Sequence, residues 1–345
     1  MNPVAAPAAR DERLERVCER APLAEYARAT GLRVLVIGAS KDPNAKVTVL
    51  LVSPKTGDAE AVVKAPTTDV AAAAVEKERR VLLELERLDI GDAGTPIPRV
   101  IDTVDFEGRP ALVTSAVGGA PMSTSYLAWL HTARRARVEA DFAAVDEWLS
   151  QFQRRTTAAA PAPGADVAAR LVGRFGSEPD LDDIAGEVAG AENRLGRDAV
   201  SAAGVHGDLW LGNVLATDAR VTGVVDWEAG SAAGDPRLDV VRFANMYALY
   251  LDHAKVVGGR VLGHRGLRAG RFGAGLEFAL DGNGWFPELY REFIARGIER
   301  LGGSRRSWRD AALLGIAEVA ASTDDSGFAR RHLELFRRLC RGGRA

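Results

Sequence analysis

The chain has 345 residues, and its 47% hydrophobic and 27% charged content is that of an ordinary soluble globular protein. A formal net charge of −2, from 45 basic and 47 acidic residues, argues against a nucleic-acid-binding protein, which would carry a basic excess. Two cysteines cannot form a disulfide framework, and no apolar run approaches the ~18 residues of a membrane span. We therefore expect a cytoplasmic protein of one large domain or two lobes, without a secretory signal and with neither nucleic acid nor a membrane as a partner.

The N-terminal part of the chain predicts a small antiparallel sheet. Residues 1–12 are rich in Ala and Pro, which is typical of a poorly ordered terminus, and residues 11–30 have the amphipathic pattern of a helix. Three short β-branched runs follow, separated by turn-forming sequences, at residues 33–38, 46–52 and 60–64. Because short turns join strands that run in opposite directions, these runs predict sequential antiparallel strands.

A helix and two further strands follow. Thr67-Thr-Asp69 is a good N-cap cluster and predicts a helix over residues 70–88. Strands are predicted around residues 99–104 and 110–117. Gly118-Gly-Ala-Pro121 is typical of a hinge and predicts the first lobe boundary.

The rest of the chain has mainly helical patterns. Its predicted elements are helices at residues 126–132, at 135–153 and at several places after Pro236, with strands near residues 205–227. We therefore predict an α+β fold with an N-terminal lobe, residues 1–117, built on an antiparallel sheet with one key helix. The second lobe, residues 118–345, is predicted to be larger and mostly helical.

The densest motif is Val-His-Gly-Asp-Leu-Trp-Leu-Gly-Asn-Val-Leu at residues 205–215, which is followed by an apolar run that ends at Asp226. A hairpin with Ala219-Arg220 as its two-residue loop would place Asn213 opposite Asp226, with Cβ atoms about 4.5–5.5 Å apart. Asp208 lies on the loop that enters the hairpin. We therefore expect two carboxylates and one amide oxygen at one end of a strand pair.

Hard oxygen ligands of this kind suit Mg²⁺. The Asp-x₄-Asn spacing from Asp208 to Asn213 matches the catalytic loop of the kinase fold, in which the Asp accepts the proton of the substrate hydroxyl and the Asn holds a metal ion. A surface hairpin with solvated acids is the alternative interpretation. An acid that closes a β-branched run opposite an amide more often marks a site.

These residues resemble the aminoglycoside phosphotransferase and choline kinase family of small-molecule kinases. The resemblance covers most of the chain and is sharpest from His206-Gly-Asp208 through Asn213 and Asp226 to Gly234-Asp-Pro-Arg-Leu-Asp239. It implies a two-lobed, protein-kinase-like fold. It also implies that Asp208 is the catalytic base, that Asn213 and Asp226 hold Mg²⁺ against the nucleotide phosphates, and that Asp239 braces the catalytic loop from the next helix.

A kinase also needs a strand lysine on the α/β-phosphates, oriented by a helix glutamate. Lys64 ends the third predicted strand and fits this role, although alone it would be a solvated lysine at a strand end. Of the two candidate glutamates, Glu78 shares its helix face with apolar residues and Glu76 shares its face with arginines. An acid on an apolar face needs a partner, because unpaired burial is costly. We therefore predict a Lys64–Glu78 pair.

Two parts of the nucleotide site are less defined. The loop after the first strand, residues 38–44, lacks the G-x-G-x-x-G of protein kinases, and Ser40 is the candidate for covering the phosphates. Residues 112–117 resemble a hinge segment whose backbone would hydrogen-bond adenine near Ser115 and Val117. A plain edge strand is the alternative for these residues.

Three residues near the motif are candidates for contact with the substrate: Trp210, Trp227 and Glu228. An indole can bind a sugar or an amine by stacking or cation–π contact, although core packing is the commoner use of Trp. His206 is predicted to be a hydrogen-bonded structural residue rather than an acid–base catalyst.

The sequence therefore predicts an ATP- and Mg²⁺-dependent phosphotransferase, with GTP as the alternative nucleotide, that acts on a hydroxyl of a small molecule as a monomer or homodimer. From His206 onward the chain has 17 acidic and 20 basic residues, and so no acidic surplus for a polycationic aminoglycoside. A sugar or other neutral metabolite is an equal candidate. The alternatives are a nucleotide-binding regulator without turnover, and a Mg²⁺-dependent phosphohydrolase, which would have no use for a Lys64–Glu78 pair.

Overall fold

The computed structural model describes residues 21–39, 43–88, 90–91, 94–176, 178–253 and 256–342. The predictions for residues 1–12 and for Ser40 lie outside the described residues. By its internal contacts the chain divides into two compact units. The first comprises the residues up to Leu83 with Pro98–Ala116, and the second comprises Glu84–Ile97 with the residues from Val117 onward. The lobe bounds proposed from the sequence stay a prediction.

The first unit is built on an antiparallel sheet. Its elements, with the last turn of α2 belonging to the second unit, are α1 (Ala21–Thr30), β1 (Arg33–Ala39), β2 (Lys46–Val52), β3 (Ala59–Pro66), α2 (Asp69–Glu86), β4 (Val100–Phe106) and β5 (Arg109–Ser115). The described strands pair in the order β1-β2-β3-β5-β4, and each pairing is antiparallel. The predicted strands and their direction are therefore confirmed.

The two faces of this sheet have different roles. Leu23 and Ala27 of α1 belong to the buried core with Val49, Val63 and Val113 from one face of the sheet. Because successive strand residues point to opposite faces, Lys64 lies on the other face. The core on one side thus leaves the second side of the sheet available for polar chemistry.

The second unit is mostly helical. Its strands are β6 (Ala120–Pro121), β7 (Ala203–Val205), β8 (Val214–Thr217), β9 (Arg220–Val224) and β10 (Ser231–Gly234). Its helices are α3 (Met122–Tyr126), α4 (Arg135–Thr156), α5 (Val167–Phe175), α6 (Leu181–Leu195), α7 (Arg237–Leu249), α8 (Ala274–Asp281), α9 (Trp285–Arg300), α10 (Trp308–Ser322) and α11 (Ser326–Gly342). β7 pairs with β10, and β8 lies between β6 and β9.

Helix α7 lies in the core of this unit. Nearly all its residues are buried, and it packs against α9 and α10. Asn245 of α7 donates from Nδ2 to the carbonyl oxygen of Ala312 at 2.9 Å and accepts from the hydroxyl of Tyr290. A Cβ on Gly315 would lie 2.9 Å from both the Asn245 amide nitrogen and a Val241 methyl, so α10 approaches α7 closely. The position of α7 is therefore set by the C-terminal helices.

One prediction near the start of this unit was wrong. The helix expected over residues 126–132 ends at Tyr126, because Leu130 takes a left-handed φ of 59° and the preceding Trp129 is exposed instead of contributing to an apolar face. The hinge and lobe boundary predicted at residues 118–121 stay a prediction, and Ala120–Pro121 of this segment forms a strand that pairs with β8. Gly119 takes φ 109°, and a Cβ there would lie 2.1 Å from the Thr222 hydroxyl of β9 and 3.2 Å from the backbone nitrogen of Ala216 on β8.

The register of the β8–β9 hairpin also differs from the prediction. Thr217 pairs with Arg220, so the two-residue loop is Asp218-Ala219 rather than Ala219-Arg220. Both loop residues have positive φ, 49° and 58°, which is the type I′ geometry that suits the twist of a hairpin. A bulge between Leu215 and Ala216 then shifts the register by one residue.

None of the helices in the described ranges combines the length and the apolar character that crossing a membrane requires.

Candidate active site

The loop after β7 is held by one buried carboxylate. Asp239 of α7 is 0% exposed, and its two oxygens accept hydrogen bonds from the backbone N–H groups of His206, at 2.6 Å, and Gly207, at 2.9 Å. Burial raises the pKa of Asp239, and the hydrogen bonds from the backbone N–H groups of His206 and Gly207 oppose that shift. The contacts tie the loop backbone to α7.

The two residues of this contact are themselves constrained. Gly207 has φ 79°, and a Cβ there would lie 2.6 Å from the carbonyl oxygen of Ala229, so the position requires glycine. The His206 ring donates from Nε2 to Val225 O at 2.9 Å, and its Nδ1 accepts from the N–H of Asp208 at 3.2 Å. With both ring nitrogens engaged, His206 is a structural element of the loop.

Asp208 and Asn213 are brought together by this loop. The Asn213 amide nitrogen lies 3.0 Å from the backbone oxygen of Asp208 and 3.4 Å from its Oδ2. Because the nitrogen of the amide is turned to Asp208, Oδ1 is the Asn213 atom left to act as a ligand. Asn213 is buried, and the Asp208 side chain is 32% exposed.

An arginine that the sequence analysis missed also contacts Asp208. Arg242 of α7 donates from Nε to Asp208 Oδ1 at 3.0 Å, and its Nη2 donates to the same oxygen. Asp239 and Arg242 are three residues apart on one helix, so they share a face. This spacing could have identified Arg242 from the sequence, because the helix face that carries Asp239 and holds the loop backbone also reaches the side chains of the loop.

The shifted register changes the expected position of Asp226. Asn213 lies opposite Val225, whose N–H donates to Asn213 O at 2.9 Å, so the prediction that Asn213 and Asp226 face each other directly was wrong. Asp226 follows with a left-handed φ of 72° at the start of a short 3₁₀ turn, Trp227–Ala229. Carboxylate oxygens of Asp226 and Glu228 lie within 4.8 Å of each other, and both side chains are half-buried.

The two tryptophans differ in their surroundings. Trp227 is fully buried against Trp148 and Phe152, and its Nε1 donates to Val224 O at 2.8 Å, so the suggestion that it binds substrate was wrong. Trp210 is half-exposed two residues after Asp208, and its ring lies 6.3 Å from that of Tyr250.

In the first unit, Lys64 and Glu78 form the predicted pair. The Lys64 Nζ lies 2.7 Å from both carboxylate oxygens of Glu78, which is 2% exposed. Glu76 instead pairs with Arg79 on the outer face of α2, and that hydrogen bond lowers the pKa of Glu76. The helix-face argument therefore selected the right glutamate.

An apolar ladder crosses the sheet beside Lys64. Leu35 pairs with Leu50, Leu50 with Val62, and Val62 with Thr114, so these four side chains share the face of Lys64. Leu35 is 53% exposed. The sequence analysis did not single out this ladder, although the alternation of the strands would have placed the residues on one face.

The expected hinge residues lie at the end of β5. The N–H of Ser115 donates to Arg99 O at 2.8 Å, and that of Ala116 donates to Glu60 O at 3.0 Å. The Ser115 amide is thus used by the sheet. Val117 comes after the last paired residue, with its side chain close to Gly223.

An antiparallel sheet with a lysine–glutamate pair, followed by a helical unit with a braced His-Gly-Asp loop, defines a protein-kinase-like fold. Residues 45–272, more than half of the chain, match the model of the phosphotransferase enzyme family, and the protein belongs to that family. It is therefore a phosphotransferase enzyme. None of the curated proteins matches the chain.

Solved structures share the fold. A thermostable mutant of the aminoglycoside phosphotransferase APH(4)-Ia, in a ternary complex with ADP and hygromycin B, matches with TM-score 0.55 and 14% identity, over 97% of this chain and 100% of that chain. A second thermostable mutant, with AMP-PNP and hygromycin B, gives TM-score 0.54 and 17% identity over 90% and 93%. The GDP complex of an aminoglycoside 2′-phosphotransferase-IIIa mutant gives 0.50 and 14% over 90% and 92%.

Proposed function

We propose that the protein transfers the γ-phosphoryl group of ATP to a hydroxyl group of a small molecule. The observation that carries the proposal is the Asp208 loop. An aspartate that directly follows two residues held at their backbone by Asp239, and that is contacted by Asn213 five residues later, has the arrangement of the base and metal-ligand positions of a kinase catalytic loop. Membership of the phosphotransferase family supports the reaction class.

The first unit supplies the nucleotide contacts in this proposal. Lys64, oriented by Glu78, binds the α/β-phosphates, and the apolar ladder that includes Leu35 and Val62 provides a surface for the purine ring. Ser115 and Val117 stay candidates for backbone contacts with the base, with the Ser115 carbonyl oxygen rather than its N–H as the usable group.

The chain offers a donor set for Mg²⁺. The Asn213 Oδ1 and the Asp226 carboxylate are hard oxygen ligands, and the Glu228 carboxylate lies beside Asp226. In our proposal Asn213 and Asp226 hold the ion, which, when bound, supplies charge neutralisation at the phosphates. The proximity of a second carboxylate to Asp226 favours a cation there, because two like charges at this distance repel.

The proposed reaction is a single phosphoryl transfer. The acceptor oxygen forms a bond to the γ-phosphorus, the bond from that phosphorus to the β–γ bridging oxygen breaks, and ADP leaves. The acceptor proton passes to the Asp208 carboxylate. Little covalent chemistry falls to the protein, so the contribution of Asp208 is to orient the hydroxyl and accept its proton.

The acceptor is a sugar, an aminoglycoside or a related metabolite in this proposal. Trp210 and Tyr250 offer half-exposed rings near Asp208. Burial raises the pKa of Tyr250, Arg242 and Arg331 act in the opposite direction, and Asp208 acts in the same direction as burial.

The test is binding and turnover with a panel of acceptors. We expect MgATP to raise the melting temperature, and ³¹P NMR to show a phosphate ester and ADP with at least one sugar or aminoglycoside, hygromycin B included. Asp208→Asn should lower kcat by about 10²–10⁴ without changing the affinity for MgATP. Asp218→Asn, which changes an exposed acid in the turn of the same hairpin, is the matched control and should keep full activity.

The other outcomes contradict the proposal. Nucleotide binding without transfer to any acceptor or to water indicates a regulator. Phosphate release that no acceptor diverts to a product indicates a phosphohydrolase. Full turnover in Asp208→Asn removes the base from the proposed mechanism.

A further inference from the structure

We propose that Arg242 is a positioning residue that fixes the orientation of the Asp208 carboxylate and assigns different tasks to its two oxygens. The inference rests on the proposed function of Asp208 as the base. Arg242 donates to Asp208 Oδ1 from Nε at 3.0 Å and also from Nη2. The Arg242 side chain is 18% exposed, so the pair is shielded from bulk water on one side.

The contacts of the two oxygens are unequal. Oδ1 accepts two charge-assisted hydrogen bonds, whereas Oδ2 has the longer 3.4 Å contact with the Asn213 amide nitrogen. A carboxylate that is held through Oδ1 cannot rotate freely about its Cβ–Cγ bond. Oδ2 is therefore the oxygen that receives the acceptor proton, and Oδ1 is the anchor.

The same helix holds the backbone and the side chain of the loop. Asp239 binds the N–H groups of His206 and Gly207, and Arg242, three residues later on α7, binds the carboxylate of Asp208. The backbone contact sets where the Asp208 Cα lies, and the side-chain contact sets where its oxygens point. Since a misplacement of about 1 Å at a reacting group can cost about 10²-fold in rate, the second contact matters for turnover.

The experiment is a double-mutant cycle on ATP turnover. Arg242→Gln removes the charged fork, and Asp208→Asn removes the base. Phosphate release from MgATP, with water as the acceptor, is measured for both single variants and the double variant, together with product formation on any acceptor that the panel identifies. Arg242→Lys keeps the charge but loses the two-nitrogen contact.

We expect Arg242→Gln to lower kcat about 10- to 100-fold, with KM for MgATP within about twofold of the wild-type value. Arg242→Lys should recover part of the loss. In the Asp208→Asn background, Arg242→Gln should change the rate less than about twofold, because a residue that acts through the base has nothing left to position.

Arg194→Gln is the matched control. Arg194 makes two 2.8 Å hydrogen bonds to Asp310 at the surface, so its removal breaks an arginine–carboxylate pair elsewhere in the same unit. The control should keep the wild-type kcat.

Two results would overturn the inference while the proposed function stands: an unchanged kcat in Arg242→Gln, or an equal fold-loss in the presence and absence of the Asp208 carboxylate. A wild-type protein that binds MgATP but transfers phosphate to no acceptor, water included, contradicts the proposed function and the inference with it.

Discussion

The Nζ of Lys64 lies 2.7 Å from both carboxylate oxygens of Glu78, which is almost completely buried in α2. The Lys64 side chain is 15% exposed and lies on strand β3. Burying such an ion pair has a desolvation cost. Removing one of its two partners leaves an uncompensated buried charge, and this destabilises a protein more than replacing both partners with apolar residues. The effect of Lys64 on stability can therefore be separated from its effect on nucleotide binding by comparing a variant that lacks one partner with a variant that lacks both.

Lys64→Met removes the cation from a buried carboxylate, and we expect the free energy of unfolding to fall by about 3 kcal/mol. The double variant Lys64→Met with Glu78→Leu should regain most of that loss in urea unfolding. Both variants should bind MgATP about 10- to 100-fold more weakly, since a charge-assisted contact to phosphate is lost. If the double variant binds MgATP as the wild type does, the lysine has no role in nucleotide binding.

Gly207→Ala should displace the loop that contains Asp208. The new Cβ would lie 2.6 Å from a carbonyl oxygen at a positive φ, so the loop must shift. We expect a loss of about 1–3 kcal/mol in unfolding free energy and about 100-fold in kcat. Gly186→Ala on α6 is the control, because its Cβ meets open space, and it should stabilise the protein by about 0.5–1 kcal/mol at unchanged activity.

Removing the proposed ligands Asn213 and Asp226 should raise the Mg²⁺ concentration that turnover requires. With Asn213→Ala or Asp226→Asn, we expect the Mg²⁺ concentration for half-maximal rate to rise at least about tenfold, as expected when one oxygen ligand is lost. Excess EDTA should abolish wild-type turnover. The measurement is the initial rate against free Mg²⁺ at saturating ATP, with Asp218→Asn as the control. An unchanged Mg²⁺ dependence in both ligand variants would place the ion elsewhere.

Two buried histidines should destabilise the protein in acid. Burial lowers the pKa of His264 and of His332 to about 4, from 6.5. A depressed folded-state pKa gives stability that is present above pH 6.5 and lost as the pH falls toward 4, on the order of 2–3 kcal/mol per histidine. Urea midpoints between pH 7 and pH 4 should show this loss. His332→Gln should reduce the pH slope, and His253→Gln, at an exposed position, should leave it unchanged.

The hairpin turn offers a stabilising substitution. Ala219 has φ 58°, where an L side chain is disfavoured, so Ala219→Gly should raise the free energy of unfolding by about 0.5–1 kcal/mol. The thermal midpoint gives the measurement, and kcat should not change. A lower midpoint would mean that the flexibility of glycine in the unfolded chain outweighs the relief of strain.

Local patterns were enough to predict the Lys64–Glu78 pair. The alternation of β3 and the face of α2 that carries Glu78 both follow from spacing within one element, and the structure pairs Lys64 with Glu78. The prediction that the His-Gly-Asp motif is a catalytic loop likewise rests on adjacent residues, and it stays a prediction.

The parts that the sequence could not supply depend on contacts distant along the chain. The hairpin register follows from which two residues adopt positive φ and from a bulge, and Asp218-Ala219-Arg220 has no glycine to mark the turn. Arg242 reaches an aspartate 34 residues earlier, and only the folded position of α7 shows that contact.

Because α7 carries both Asp239 and Arg242, Asp208 cannot move independently of that helix. Helix α7 in turn packs closely against α10 through the hydrogen bond of Asn245 and the close approach at Gly315. The position of the Asp208 carboxylate thus depends, through α7, on a segment more than a hundred residues downstream. Residues on other segments can be substituted to suit new acceptors without moving Asp208. A substitution on α10 should still change turnover, even though it touches no ligand.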